Sequence, residues 1–301
     1  EAGRSASVMA GLLWLSRRLG PKFELNEIGA SAGVNTMMGR YRYDLGGVKA
    51  GPSLSRMKIA PEWRGPPPPA GKVEIVALRG CDVAPIDLTD PAQALRLKAY
   101  VWPDATERMA RLDTAIAMAQ RARPDLVRMD AAEFVRERLA QPQEQGVTRA
   151  LFHSIVWQYL PEASRRAITE LIEQAGARAS AERPLAWSAL ETNRETFRHE
   201  LVVRYWPGGA APCTSTCGGG GACVMSAVPG AMVMIGAWAR IRASWCSRIV
   251  SARAGRRSTR ATVPMSWASF ARCRMRQSLA ARRQCSSTKW RSSSVVSWFS
   301  S

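Results

Sequence analysis

Helical and strand-like patterns of apolar residues alternate along the first two thirds of the chain. Apolar positions recur at helical spacing over 104–121, and Asp104 is the predicted cap of that helix. The short segments 23–28 (FELNEI) and 148–153 (TRALFH) are predicted strands. The predicted order β-α-β-α-β-α-β-β indicates a Rossmann-like, doubly wound α/β sheet whose last strands pair antiparallel.

Two features interrupt this alternation. Residues 46–71 are rich in glycine and proline, which predicts a long irregular loop. The regular pattern then ends at Trp206-Pro207-Gly208. We therefore divide the chain into a Rossmann-like domain, residues 1–208, and an irregular tail, residues 209–301.

The charge distribution changes at the same boundary. The net charge of +19 comes from 43 basic and 24 acidic side chains, and all 24 acidic ones lie in residues 1–208. The tail holds 14 basic side chains and no acidic one. An arginine-rich stretch at 240–291 attracts any phosphate backbone. The charge is therefore weak evidence for function, and we do not expect nucleic acid as a specific partner.

Cysteine and hydropathy patterns limit the setting. Cys81 is the only cysteine before residue 209, which favours a reducing, cytoplasmic location without a signal peptide. The tail cysteines Cys213, Cys217 and Cys223 lack the paired spacing and histidines of a zinc module, so no metal site is predicted. The uncharged stretch between Arg204 and Arg240 is broken by proline and glycine, and no membrane span is expected.

The most informative motif runs from Glu27 to Gly33 (EIGASAG), directly after a predicted strand. It resembles the first motif of S-adenosylmethionine-dependent methyltransferases, in which an acidic residue precedes a glycine loop that lies against the cofactor. This resemblance implies a cofactor loop formed by Glu27, Gly29, Ser31 and Gly33. Ser31 stands where those enzymes have a glycine.

The same residues permit two other interpretations. Gly29-x-Ser31-x-Gly33 is also the nucleophile-elbow pattern of α/β-hydrolases, which would need Ser31, Asp130 and His153 as a triad. The motif is also compatible with a tight structural turn that binds nothing.

Three further polar residues follow predicted strands, where this architecture places its ligands. Asp82 follows the second strand and could accept hydrogen bonds from ribose hydroxyls, whereas Asp130 follows the third and could accept from an adenine amino group. Both could instead cap a turn or a helix. His153 ends the fourth strand and is a candidate general base, or else a buried histidine packed beside Trp157.

Several ordered runs together resemble the bacterial family known as domain of unknown function 2332, over residues 1 to about 208. They are 1–6 (EAGRSA), 26–35 (NEIGASAGVN), 40–44 (RYRYD), 79–85 (RGCDVAP), 100–104 (YVWPD), 153–160 (HSIVWQYL) and 184–187 (PLAW). Members share about a hundred further residues before the position of Glu1, which implies a fragment truncated at its N-terminus. They also share a closing strand that this chain lacks after residue 209, and we expect the tail to be an out-of-frame translation, with an evolved basic tail as the rival.

The sequence thus predicts an S-adenosylmethionine-dependent methyltransferase with class I architecture and an unknown, small-molecule or other, acceptor. A hydrolase with Ser31 as nucleophile and a non-catalytic or nucleic-acid-binding protein remain as alternatives.

Overall fold

The structure is a computed structural model that describes residues 1–194, 198–208, 225–228 and 231–236. Its main sheet has eight strands in the order β10-β11-β9-β8-β7-β1-β5-β6. The strands are β1 Lys22–Ile28, β5 Glu74–Asp82, β6 Leu126–Arg128, β7 Thr148–Ser154, β8 Leu185–Asn193, β9 Arg198–Trp206, β10 Met225–Val228 and β11 Ala231–Gly236. A small second sheet has the order β3-β2-β4, with β2 Arg42–Leu45, β3 Val48–Ala50 and β4 Lys58–Ile59.

Five strands of the main sheet are parallel, namely β6, β5, β1, β7 and β8. Numbered along the chain, these five strands follow the order 3-2-1-4-5, and the order reverses between β1 and β7. Strand β9 then pairs antiparallel with β8. The mixed α/β sheet with a parallel centre is confirmed, and so is the antiparallel pairing at its end.

Helices cover both faces of this sheet. The α-helices are α1 Ser5–Leu19, α2 Pro91–Lys98, α3 Thr106–Arg121, α4 Ala131–Ala140 and α5 Glu162–Ala177. One core lies on the α1 face and includes Leu12, Leu25, Ala115, Phe152 and Val203. The other core joins α4 and α5 to the sheet through Ile28, Val135, Leu151, Ile168 and Leu185. Because strand side chains alternate, Leu151 and Phe152 belong to opposite faces.

The predicted elements differ from the structure in three places. Helix α3 begins at Thr106 with Ala105 in the cap position, so Asp104 is not its cap. Residues 46–71 contain two short strands, because β2 offers both edges for pairing with β3 and β4. Strands β10 and β11 lie in the part expected to be irregular, where apolar, strand-forming residues can extend the open edge of β9. The predicted tail otherwise lies outside the described residues.

Candidate functional site

Three acidic side chains lie at or just beyond the carboxyl ends of three neighbouring parallel strands. Glu27 is next to last in β1, Asp82 ends β5, and Asp130 lies two residues after β6. These strands are adjacent in the sheet and run in one direction, so the three residues share its carboxyl edge. The turn that carries Gly29, Ser31 and Gly33 follows β1 at the position where the strand order reverses.

Glu27 is a buried carboxylate held by the next helical turn. Glu27 is only 2% exposed. Its carboxylate accepts hydrogen bonds from Asn35 Nδ2 at 3.2 Å and from Thr36 Oγ1 at 2.6 Å. Burial raises the pKa of Glu27 to about 7, and the negative charge of Asp82 adds to this rise, while the bonds from Thr36 and Asn35 oppose it. Glu27 thus titrates near neutral pH.

Both glycines of the turn have positive φ angles that few other residues adopt. Gly29 and Gly33 each have φ of +68°. A Cβ at Gly29 would lie 2.4 Å from Val156 Cγ2, and a Cβ at Gly33 would lie 2.8 Å from the Pro124 ring. The space beside the two glycines is therefore filled by Val156 and Pro124 of the protein itself. A role of these glycines in cofactor binding stays a prediction.

Ser31 lies between the two glycines with its backbone also in the left-handed region, at φ of 53°, and its side chain is exposed. Its N–H donates to Asp82 Oδ2 at 2.9 Å, and its carbonyl accepts from Ile86 N at 3.1 Å. The other oxygen of Asp82 accepts from Ala84 N at 2.9 Å. Asp82 therefore joins the turn after β1 to the end of β5.

Asp130 caps helix α4, which is one of the two roles that the sequence allows. Its Oδ1 accepts from Ala132 N at 2.8 Å and from Glu133 N at 3.3 Å. The residue is exposed, and both of these bonds fall on the same oxygen. The cap leaves the second oxygen, Oδ2, for another donor.

His153 lies inside the protein. It is 1% exposed, its ring stacks on Trp157 with centroids 4.9 Å apart, and its Nδ1 lies 2.8 Å from Glu191 Oε1. Its Nε2 is buried and makes no hydrogen bond with the described residues. His153 thus has the buried environment beside Trp157 that we gave as the alternative, and a direct catalytic role stays a prediction.

Sequence reasoning missed Glu191 and Arg4. Glu191 Oε1 also accepts from Val156 N at 3.0 Å and Trp157 N at 3.1 Å, and Arg4 Nη1 donates to Ser154 O at 3.5 Å. Glu191 lies near the end of β8, which continues to Asn193, and it falls in none of the sequence motifs described above. Arg4 lies just before α1 and far along the chain from β7, so local spacing gave no signal for it.

The hydrolase triad is not assembled in the described residues. No hydrogen bond links any two of Ser31, Asp130 and His153, since Asp130 caps α4 and His153 bonds to Glu191. Cys81, the only cysteine in residues 1–208, is a poor nucleophile, because burial raises the pKa of its thiol to about 12.

The described residues contain neither a metal-binding cluster nor a membrane-spanning helix. There, His, Cys, Asp and Glu side chains form no cluster of three or more that suits a metal ion. Within the same residues, no helix has the length and apolar character needed to cross a bilayer. Cys213, Cys217 and Cys223 and the basic stretch 240–291 lie outside the described residues.

The fold and this edge of the sheet define a mixed α/β protein with a mostly parallel central sheet. The chain belongs to the bacterial family described as "Uncharacterized protein conserved in bacteria (DUF2332)", whose model matches residues 1–224. The family resemblance of residues 1–208 is thereby confirmed, and the match continues into the acid-free segment. No curated protein and no solved structure matches the chain.

Proposed function

We propose that the chain is an S-adenosylmethionine-dependent methyltransferase with an unidentified acceptor. The observation that carries this proposal is the placement of Glu27, Asp82 and Asp130 around the turn after β1, at the carboxyl ends of three adjacent parallel strands. Ligands of doubly wound sheets bind at this edge, next to the reversal of strand order. The five parallel strands and the antiparallel β9 also agree with a class I methyltransferase architecture.

The donor and acceptor pattern of the site suits a nucleoside. Each Asp82 oxygen accepts one backbone N–H and has a lone pair left, which suits the two ribose hydroxyls. Asp130 Oδ2 suits an adenine amino group, because the helix cap uses Oδ1. Bound S-adenosylmethionine would supply an activated methyl group on a positively charged sulfur. The residues of the chain would hold and orient it.

Asp130→Asn tests the adenine contact without removing the helix cap. Asparagine caps helices as well as aspartate does, but its amide nitrogen cannot accept from an adenine amino group. We expect the affinity for S-adenosylhomocysteine, measured by calorimetry on the 301-residue chain, to fall about tenfold, the value of one charge-assisted hydrogen bond. The melting temperature should stay within about 2 °C of the parent.

Asp90→Asn is the matched control, because Asp90 caps α2 through the same type of bonds to Ala92 N and Gln93 N. It should leave the affinity for S-adenosylhomocysteine unchanged. Absence of binding to the folded parent chain at millimolar S-adenosylhomocysteine would refute the proposed function.

A hydrolase is the second candidate, favoured by the exposed Ser31 and its left-handed backbone at a nucleophile-elbow motif. With His153 buried and bonded to Glu191, we expect no activation of the Ser31 hydroxyl. A fluorophosphonate probe followed by mass spectrometry should leave Ser31 unlabelled. Labelling that disappears in Ser31→Ala would replace the methyltransferase proposal with the hydrolase.

A further inference from the structure

The loop after β7 is held from two sides by side chains of opposite charge. Arg4 Nη1 donates to the carbonyl of Ser154, and Glu191 Oε1 accepts the backbone N–H groups of Val156 and Trp157. Both charged groups therefore lie at the carboxyl end of β7, within a few residues of each other along the same loop. Neither belongs to the nucleoside contacts proposed above.

Within the described part of the chain, every hydrogen bond of the Glu191 carboxylate falls on Oε1, and Oε2 remains for a ligand. His153 Nδ1 and the N–H groups of Val156 and Trp157 all lie on Oε1. The Glu191 side chain keeps 23% of its surface exposed. His153 reaches this surface only through Glu191, so it acts as a positioning residue that fixes the carboxylate.

The charges of this pair are preserved at neutral pH. Burial raises the pKa of Glu191, but the bonds from His153 and the two backbone N–H groups outweigh it, and the net shift is downward. Arg4 is half-buried, and although burial lowers its pKa, a guanidinium stays protonated in proteins. The pKa of the nearby His199 is lowered by burial and by Arg4, so that imidazole is neutral. Two further groups shift the pKa of Arg4: the charge of Arg108 lowers it and Tyr159 raises it.

An unsatisfied polar atom lies beside this pair. Ser154 is 9% exposed, and its buried Oγ makes no hydrogen bond with the described residues. The carbonyl of the same residue accepts from Arg4. A buried hydroxyl without a partner carries a desolvation cost of about 1–3 kcal/mol, which a polar ligand at this position would relieve.

We infer that Arg4 and Glu191 form a subsite for a zwitterionic α-amino-acid group, with the guanidinium for its carboxylate and Glu191 Oε2 for its ammonium. Val156, whose N–H Glu191 holds, packs against Gly29, so the subsite adjoins the turn after β1. S-adenosylmethionine carries such a group on its sulfur, on the opposite side from the nucleoside. The inference rests on the proposed function in naming the cofactor as the source of this group; a free amino acid has the same chemistry.

Two nucleosides test this subsite by calorimetry on the 301-residue chain. S-adenosylhomocysteine carries the amino-acid group, whereas 5′-methylthioadenosine lacks it. We expect the parent to bind S-adenosylhomocysteine at least about tenfold more tightly. Arg4→Gln and Glu191→Gln should each remove most of this preference and leave the affinity for 5′-methylthioadenosine within about twofold, which also shows that the variants fold. Arg18→Gln, the same change at the far end of α1, should alter neither affinity.

A third titration, with free methionine, separates the outcomes. If both nucleosides bind and the preference survives Arg4→Gln and Glu191→Gln, the subsite is refuted while the proposed function stands. If neither nucleoside binds the parent, the proposed function fails, and the methionine titration then decides whether the amino-acid subsite exists. Methionine binding that Arg4→Gln and Glu191→Gln abolish supports an amino-acid subsite with a different source, and absence of methionine binding refutes it.

Discussion

Gly29→Ala is expected to destabilise the folded chain by about 2–4 kcal/mol. The new Cβ would lie 2.4 Å from Val156 Cγ2, and overpacking of this kind costs roughly 1–3 kcal/mol. The φ of +68° adds roughly 1 kcal/mol of backbone strain for alanine. Urea unfolding monitored by circular dichroism measures the change in the free energy of unfolding.

Gly146→Ala is the matched control, because Gly146 has φ of +77° and open space where its Cβ would lie. It should cost only the backbone strain of roughly 1 kcal/mol. Adding Val156→Ala to Gly29→Ala removes the clashing methyl groups and should recover part of the loss. Equal costs for the two glycine substitutions would show that Val156 does not constrain the turn.

Glu27→Gln is expected to stabilise the chain above neutral pH by about 3 kcal/mol. The folded pKa of about 7 exceeds the ordinary value of 4.5, so the folded state binds more protons than the unfolded state between these two pH values. The parent therefore loses stability as the pH rises from 4.5 to 7, and the loss is complete above 7. Glutamine avoids this loss, since it needs no ionisation and can still bond to Asn35 and Thr36.

Denaturant unfolding at pH 4.5 and pH 8 should therefore show a gain for Glu27→Gln only at pH 8. Glu191→Gln provides the opposite sign, because the pKa of Glu191 is lowered in the fold and its ionised form is stabilising. That variant should be less stable than the parent at pH 8. A gain for Glu27→Gln of the same size at both pH values would contradict the raised pKa.

The sheet was predictable because its strands carry their own signal. Strands β1 and β7 are short, mostly buried segments between turn residues, and the acidic residues at the ends of β1 and β5 follow from position alone. The cap of α3 was predicted wrongly, since Asp104 lies one residue before the position that the helix start requires. Local propensity does not fix such boundaries.

The charged pair beside the turn could not be predicted for a different reason. Arg4 and Glu191 are far apart in sequence and reach the same loop only because α1 packs on the strands that follow β7. The bonds of Glu191 depend on the register of β8 against β7 and on the turn at Val156. Likewise, the sequence leaves open whether Gly29 makes room for a ligand or forms a tight turn, and only the packed structure shows that Val156 lies where its Cβ would be.

The bond between Ser31 N and Asp82 has a consequence for the kinetics of ligand binding. This bond, together with those from Ala30 N to Cys81 O and from Ile86 N to Ser31 O, orders the turn after β1 before any ligand arrives. A ligand at this edge then loses little loop entropy on binding. Asp82→Ala would release the turn, and a ligand would have to wait for it to adopt the competent conformation, so association would slow along with the loss of affinity.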